Sequence, residues 1–120
     1  MPDRNKAFKN VLSRQSEVTI TVIGRKSGRA ISIPIWFVVE DETLYLLPVH
    51  GSDTQWYKNV LKNPSVRIQA RGAAAEFEVV PISDEKQVSS VVDKFRDRYG
   101  AGEVRKYYSK LNVAVIAHMR

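Results

Sequence analysis

From Val18 onward the chain alternates apolar and polar positions, and the period changes only where helices are expected. Val18 to Ile23 reads Val-Thr-Ile-Thr-Val-Ile, a half-buried strand. After the turn Gly24–Arg29, Ile31, Ile33, Ile35, Phe37 and Val39 alternate along a second, longer strand. Pro34 lies inside it and removes one ladder N–H, which predicts a bulge or a strand edge. From Pro34 to Val39 both faces are apolar, with Ile35, Phe37 and Val39 on one and Trp36 and Val38 on the other. Such a strand sits between two layers, as in a barrel wall covered by a helix or a partner subunit. Asp41-Glu42 turns the chain into a third strand, Thr43 to Val49. Ser52 followed by Gln55 has the spacing of a capping box, opening a helix that runs to about Lys62 and stops at Asn63-Pro64. Ser65 to Ala70 is a fourth strand, and a fifth follows Gly72, with Ala75, Phe77 and Val79 opposite Glu76 and Glu78. Ser83-Asp84-Glu85 caps a helix carrying Val88, Val91, Val92, Phe95 and Tyr99 at helical spacing. Gly100 and Gly102 break it, a short helical piece spans 103–109, and Asn112 to His118 is a last strand.

Residues 3–15 predict a short helix with Phe8, Val11 and Leu12 on one face, within an N-terminal helical segment of residues 1–16. The order α-β-β-β-α-β-β-α-α-β predicts one α+β domain over residues 1–120, a small barrel of mainly antiparallel strands.

Composition narrows the chemistry. The chain has no cysteine, which excludes a disulfide framework, a thiolate nucleophile and a Cys-ligated metal. The N-terminal residues lack the apolar stretch of a signal peptide, so the cytoplasm is the expected compartment. A net charge of +6 favours acidic partners in general. Arg4, Lys6, Lys9 and Arg14 around the first helix allow weak peripheral membrane contact. Three apolar groups are few for anchorage, and docking on the domain is the stronger reading.

His50 and His118 are far apart, with no carboxylate at ligand spacing, so no metal site is expected. No Gly-x-Ser-x-Gly elbow is present. The turn Gly24-Arg25-Lys26-Ser27-Gly28-Arg29 concentrates three cations, a hydroxyl and two glycines. It reads either as a seat for a phosphate or polyanion or as a solvated hairpin tip. Its spacing is not that of a Walker loop. Tyr99 and Tyr108 either line a pocket and donate a proton or hydrogen bond to a substrate, or pack the core. Trp36 and Trp56 either stack on a flat ring or seal the barrel. Without a strong acid–base or nucleophilic set, any catalysis would rest on a cofactor.

The set Gly24-Arg25-Lys26-Ser27-Gly28, then Pro34, Trp56-Tyr57-x-Asn59 and Asn63-Pro64-x-Val66 resembles the deazaflavin-dependent nitroreductase family. These are split-β-barrel, flavin-type oxidoreductases that use the deazaflavin coenzyme F-420. The likeness covers residues 18–83 well and the remainder loosely. It implies the FMN-binding split-barrel type of fold, with about six strands and flanking helices. It also implies that Arg25, Lys26 and Ser27, within the motif closed by Gly28, hold the coenzyme's phosphate and acidic tail. Pro34 and Trp36 would lie beside the ring system, Val49, His50 and Gly51 on the strand beneath it, and Trp56 and Asn59 along the same groove. Tyr99 and Tyr108 match the family's substrate-side aromatics by approximate spacing and are the candidate catalytic residues.

The chain departs from the family where Ile31 and Ile33 replace an Arg and another polar group, with Arg29 as the candidate substitute. It departs again where Val49-His50-Gly51 replaces Ser-Lys-Gly. These changes keep FMN open as an alternative cofactor, since it carries a phosphate without an acidic tail. The expected activity is hydride transfer to a small quinone- or nitroaromatic-like acceptor. The alternatives are an FMN-binding split barrel and a non-enzymatic basic barrel that binds a cofactor or nucleic acid. Nucleic acid is not the expected partner, because Trp36 and Phe37 lie in an apolar run rather than on an exposed face. The doubly apolar second strand makes a homodimer an expectation.

Overall fold

The run of alternating residues after the first turn does two jobs, because it breaks at one residue. In the computed structural model, which describes residue 8, residues 11 and 12, and residues 14–119, it forms strands β2 (Ala30–Ile35) and β3 (Phe37–Glu40) on either side of Trp36. The other strands are β1 (Val18–Ile23), β4 (Thr43–Leu46), β5 (Ser65–Ala70), β6 (Ala73–Ile82) and β7 (Ala114–His118). All pairings are antiparallel, in the order β2-β1-β5-β6-β7-β4-β3. The two outermost strands are therefore consecutive in sequence. The one-residue joint brings the ends of the sheet together and curls it into an α+β split barrel. The expected second strand is thus two strands, and the sheet has seven rather than about six. Pro34 lies in β2, an edge strand, where a missing donor is tolerated.

The inward faces pack one core, in which Ile20, Val22, Phe37, Leu44, Leu46, Val66, Ile68 and Val115 are almost fully buried. Helix α1 (Gln55–Lys62) adds Trp56, Tyr57 and Val60. Phe8 and Leu12 plug the same core, with the Phe8 and Phe77 rings 6.0 Å apart. Phe8 and Leu12 thus face into the domain as the apolar face of the expected first helix does, while residues 1–7, 9, 10 and 13, with Arg4, Lys6 and Lys9 among them, lie outside the described residues. No described helix is long and apolar enough to cross a membrane.

A second apolar layer covers the outside of the wall. Val38 and Leu47 pack there against Val88, Val91, Val92 and Phe95 of α2 (Glu85–Tyr99) and Val104 of α3 (Ala101–Tyr107). The doubly apolar stretch is therefore covered by this chain's own helix, which removes it as a reason to expect a second subunit.

Local chemistry sets the element ends. Asp84 caps α2 by accepting the Gln87 N–H at 3.0 Å, and Gly100, at φ 99°, ends it. Ser52 does not cap α1, contrary to the capping-box reading. Gly51–Asp53 forms a turn of 3-10 helix, and Thr54 takes the cap position, its Oγ1 accepting the His50 N–H at 2.8 Å. The β5–β6 turn has Arg71 at φ 48° and Gly72 at φ 80°, the type I′ pattern. An arginine there costs about 1 kcal/mol relative to a residue suited to the left-handed region.

Truncating Phe37, which has no exposed surface, tests the closure. Phe37→Ala is expected to cost about 3–5 kcal/mol in urea unfolding.

Candidate functional site

The turn between β1 and β2 is closed by its own backbone. The Gly24 N–H donates to the Arg29 carbonyl at 2.8 Å, and the Gly28 N–H donates to the Gly24 carbonyl at 2.9 Å. Ser27 Oγ accepts the Arg29 N–H at 3.2 Å. Gly28 adopts φ 70°, which favours glycine, and a Cβ on Gly24 would sit 2.7 Å from Ser27 Oγ and displace that hydroxyl from the Arg29 N–H.

Helix α1 then grips the turn through one face. Asn59 Oδ1 accepts both the Arg25 backbone N–H (3.1 Å) and its Nη1 (2.8 Å), and Gln55 Oε1 accepts Nη2 at 2.9 Å. Lys62 Nζ donates to the Arg25 carbonyl at 3.4 Å. Gln55, Asn59 and Lys62 lie four and then three residues apart, so they share a face of the helix. Asn59 is only 5% exposed, and the turn is what satisfies its carbonyl oxygen.

These bonds decide what the turn can offer a ligand. Arg25 is engaged by the protein itself, and four of the six N–H groups from Gly24 to Arg29 already have acceptors. Within the turn, the donors given no protein acceptor among the described residues are the Lys26 and Ser27 N–H groups, the Ser27 hydroxyl, and the Lys26 and Arg29 side chains. Lys26, Ser27, Gly28 and Arg29 are all exposed. The result is a compact cationic tip on a rigid base.

Trp36 lies just past the opposite end of β2, whose six residues span about 17 Å. Its ring stacks on Tyr99 at 4.3 Å between centroids with 9° between planes, and meets Tyr107 edge-on at 5.4 Å. Tyr108 lies 6.0 Å from it. The Tyr99 hydroxyl sits between the Phe37 carbonyl (2.7 Å) and the Ser16 carbonyl (2.9 Å) and accepts the Phe37 N–H at 3.1 Å. Tyr99 therefore pins the joint after Trp36. Burial pushes the phenols of Tyr99 and Tyr108 above their ordinary range, and Tyr108 is 6% exposed. Both keep their protons at neutral pH.

The other anticipated residues fall in two places. Trp56 is 3% exposed and packs in the barrel core. Val49, His50 and Gly51 are stitched to the segment before β7: His50 Nδ1 lies 2.8 Å from Ser109 Oγ, and the Ser109 N–H donates to the Val49 carbonyl at 2.9 Å. Asn112 holds Ser52 through its N–H (3.0 Å) and Oγ (2.9 Å). The structure thus joins Arg25 with Asn59, and Trp36 with Tyr99 and Tyr108, but the two groups lie at opposite ends of β2. Sequence reasoning missed Gln55 and Lys62, whose spacing with Asn59 was the available signal, and Tyr107.

Fold and site together define a split barrel with a cationic hairpin locked to a helix. Residues 10–116 match the family described as "Uncharacterized protein conserved in bacteria (DUF2255)", and the chain belongs to that family. No functionally curated protein matches the sequence. Among solved structures, an F420-H2 dependent reductase (FDR-A) is 22% identical, with TM-score 0.67 over 87% of this chain and 95% of that one. A domain-swapped dimer is 20% identical, with TM-score 0.68 over 94% and 95%. HutZ, a heme storage protein from Vibrio cholerae, is 13% identical, with TM-score 0.72 over 94% and 87%. The likeness to the deazaflavin-dependent nitroreductases, first seen in the hairpin motif, thus extends to the fold.

Asn59→Ala would remove the acceptor of the Arg25 N–H and of its Nη1, and is expected to cost about 1–3 kcal/mol in urea unfolding. Lys26→Ala, which breaks no protein contact, should stay within about 0.5 kcal/mol. The raised phenol pKa values also fix a sign. Their contribution to stability is complete below the ordinary value of 10.0 and is lost as pH rises through the higher folded values. The melting temperature should therefore fall above pH 10, and less steeply in Tyr108→Phe.

Proposed function

We propose that the chain is a deazaflavin-dependent oxidoreductase whose acceptor is a small, flat quinone- or nitroaromatic-like molecule. The observation that carries this reading is the hairpin held by Asn59 and Gln55, which presents Lys26, Arg29 and the Ser27 hydroxyl to solvent. That donor set fits the phosphate of an elongated cofactor: two exposed cations, a hydroxyl and two free backbone N–H groups on a turn already held by α1.

In this reading Lys26, Ser27 and Arg29 bind the phosphate and acidic tail, while Gly28 lets the backbone turn beneath them. Arg25 acts indirectly, by fixing the turn on α1. The body of the cofactor follows the β2 edge past Pro34, and its flat ring lies by Trp36, which Tyr99 and Tyr108 hold in place. When bound, the deazaflavin supplies the hydride, and the chain's residues orient it and its acceptor. The F420-H2 dependent reductase among the structural neighbours supports this choice of cofactor.

One observation favours FMN as a second reading. With Arg25 engaged by Asn59 and Gln55, the tip retains two free cations, which suits a single phosphate better than a polyanionic tail. We further propose a homodimer that shares this side of the barrel with the bound cofactor, its apolar contacts Ile23 of β1 and Ile31 of β2, which are 38% and 39% exposed. The domain-swapped dimer among the neighbours supports association of this fold.

Titrating the purified protein with F-420 and with FMN, followed by an absorbance assay against a quinone, tests the assignment. Lys26→Ala combined with Arg29→Ala is expected to weaken binding of the preferred cofactor by roughly 10- to 100-fold, with folding intact. Unchanged affinity would remove the hairpin from the site.

A further inference from the structure

The β5–β6 turn carries a residue that its geometry disfavours. Both central positions have positive φ, a demand that Asn-Gly or Asp-Gly meets with little strain, yet Arg71 stands first. Residues held in such conformations concentrate where function needs the side chain. Arg71 lines a cavity of about 460 Å³ together with Val11, Arg14 and Gln15.

Neither Arg14 nor Arg71 forms an ion pair or a side-chain hydrogen bond among the described residues. The wall beside them is anchored, because the Gln15 carbonyl accepts from Arg98 and the Ser16 carbonyl from Tyr99. Arg14 alone could be explained as a cation favoured at the end of the first helix. That account does not reach Arg71, which comes from a different element and adopts a disfavoured backbone to be there. The hollow lies at the Val18 end of β1, because Thr19 pairs with Gln69, just before the turn. The cationic hairpin is at the other end of that strand, roughly 17 Å away.

We propose that this hollow is a second anion site, separate from the hairpin, for a small organic acid bearing a phosphate or carboxylate. The two guanidiniums clamp the acid group, and Val11 meets the apolar body. The Arg71 and Gly72 amide resonances of the intact protein, followed during titration with phenyl phosphate and with benzoate, give a readout specific to this end of the barrel. At least one of the two should produce saturating shifts below about 10 mM, and which one does so separates phosphate from carboxylate as the group bound. Arg14→Gln and Arg71→Asn should each weaken that binding at least tenfold. Arg71→Asn should at the same time raise the melting temperature by roughly 2–5 °C, because it relieves the turn. No saturating shift at these amides, or unchanged affinity in both variants, would overturn the site. A lower melting temperature in Arg71→Asn would also overturn it, since arginine would then be there for stability.

Discussion

The architecture depends on one interruption. A single extended run could pair on only one edge of a flat sheet. Breaking it at Trp36 lets β2 pair with β1 and β3 pair with β4, so the same ten or so residues terminate the sheet at both ends. Two contacts hold that break in place: the Tyr99 hydroxyl takes both polar groups of Phe37, and the Tyr99 ring stacks on Trp36. Tyr99 ends α2, so the covering helix and the closure of the barrel are one construction. This explains why both faces of β3 are apolar: one looks into the barrel and the other onto the helix.

The hairpin follows a different logic. Its cations look interchangeable in sequence, but Arg25 is bound by side chains 30 and 34 residues further on, while Lys26 and Arg29 are free. A guanidinium with fixed fork geometry suits that internal role, since one asparagine oxygen and one glutamine oxygen align with its donors. The anchored member makes the exposed members effective. Cations on a turn that is already ordered lose less entropy when an anion arrives.

Much of the fold could be read from the chain, and the exceptions share a cause. The strands around Ile20, Val66 and Phe77, the helix from Gln55 to Lys62 and the Asp84 cap follow from local periodicity and local chemistry. The break at Trp36 does not, because Ile35, Phe37 and Val39 continue the alternation straight through it; only the long-range contact with Tyr99 defines the joint. The same holds at Thr54, which takes the position before the helix because the 3-10 turn overrides the Ser-x-x-Gln spacing. For the candidate site, the motif located the turn, but which cation faces outward depended on Asn59 and Gln55, far along the chain. Position in the chain leaves Trp56 as either a platform for a flat ring or a seal for the barrel, and its helix rotates it into the core.

The position of β7 has a consequence for how the molecule comes into being. It is the last strand in chain order, yet it sits between β6 and β4, inside the sheet. Until residues 114–118 are available, two strands face each other across an unfilled slot, each with an unsatisfied row of peptide groups. The barrel wall is therefore continuous only once this late strand is in place.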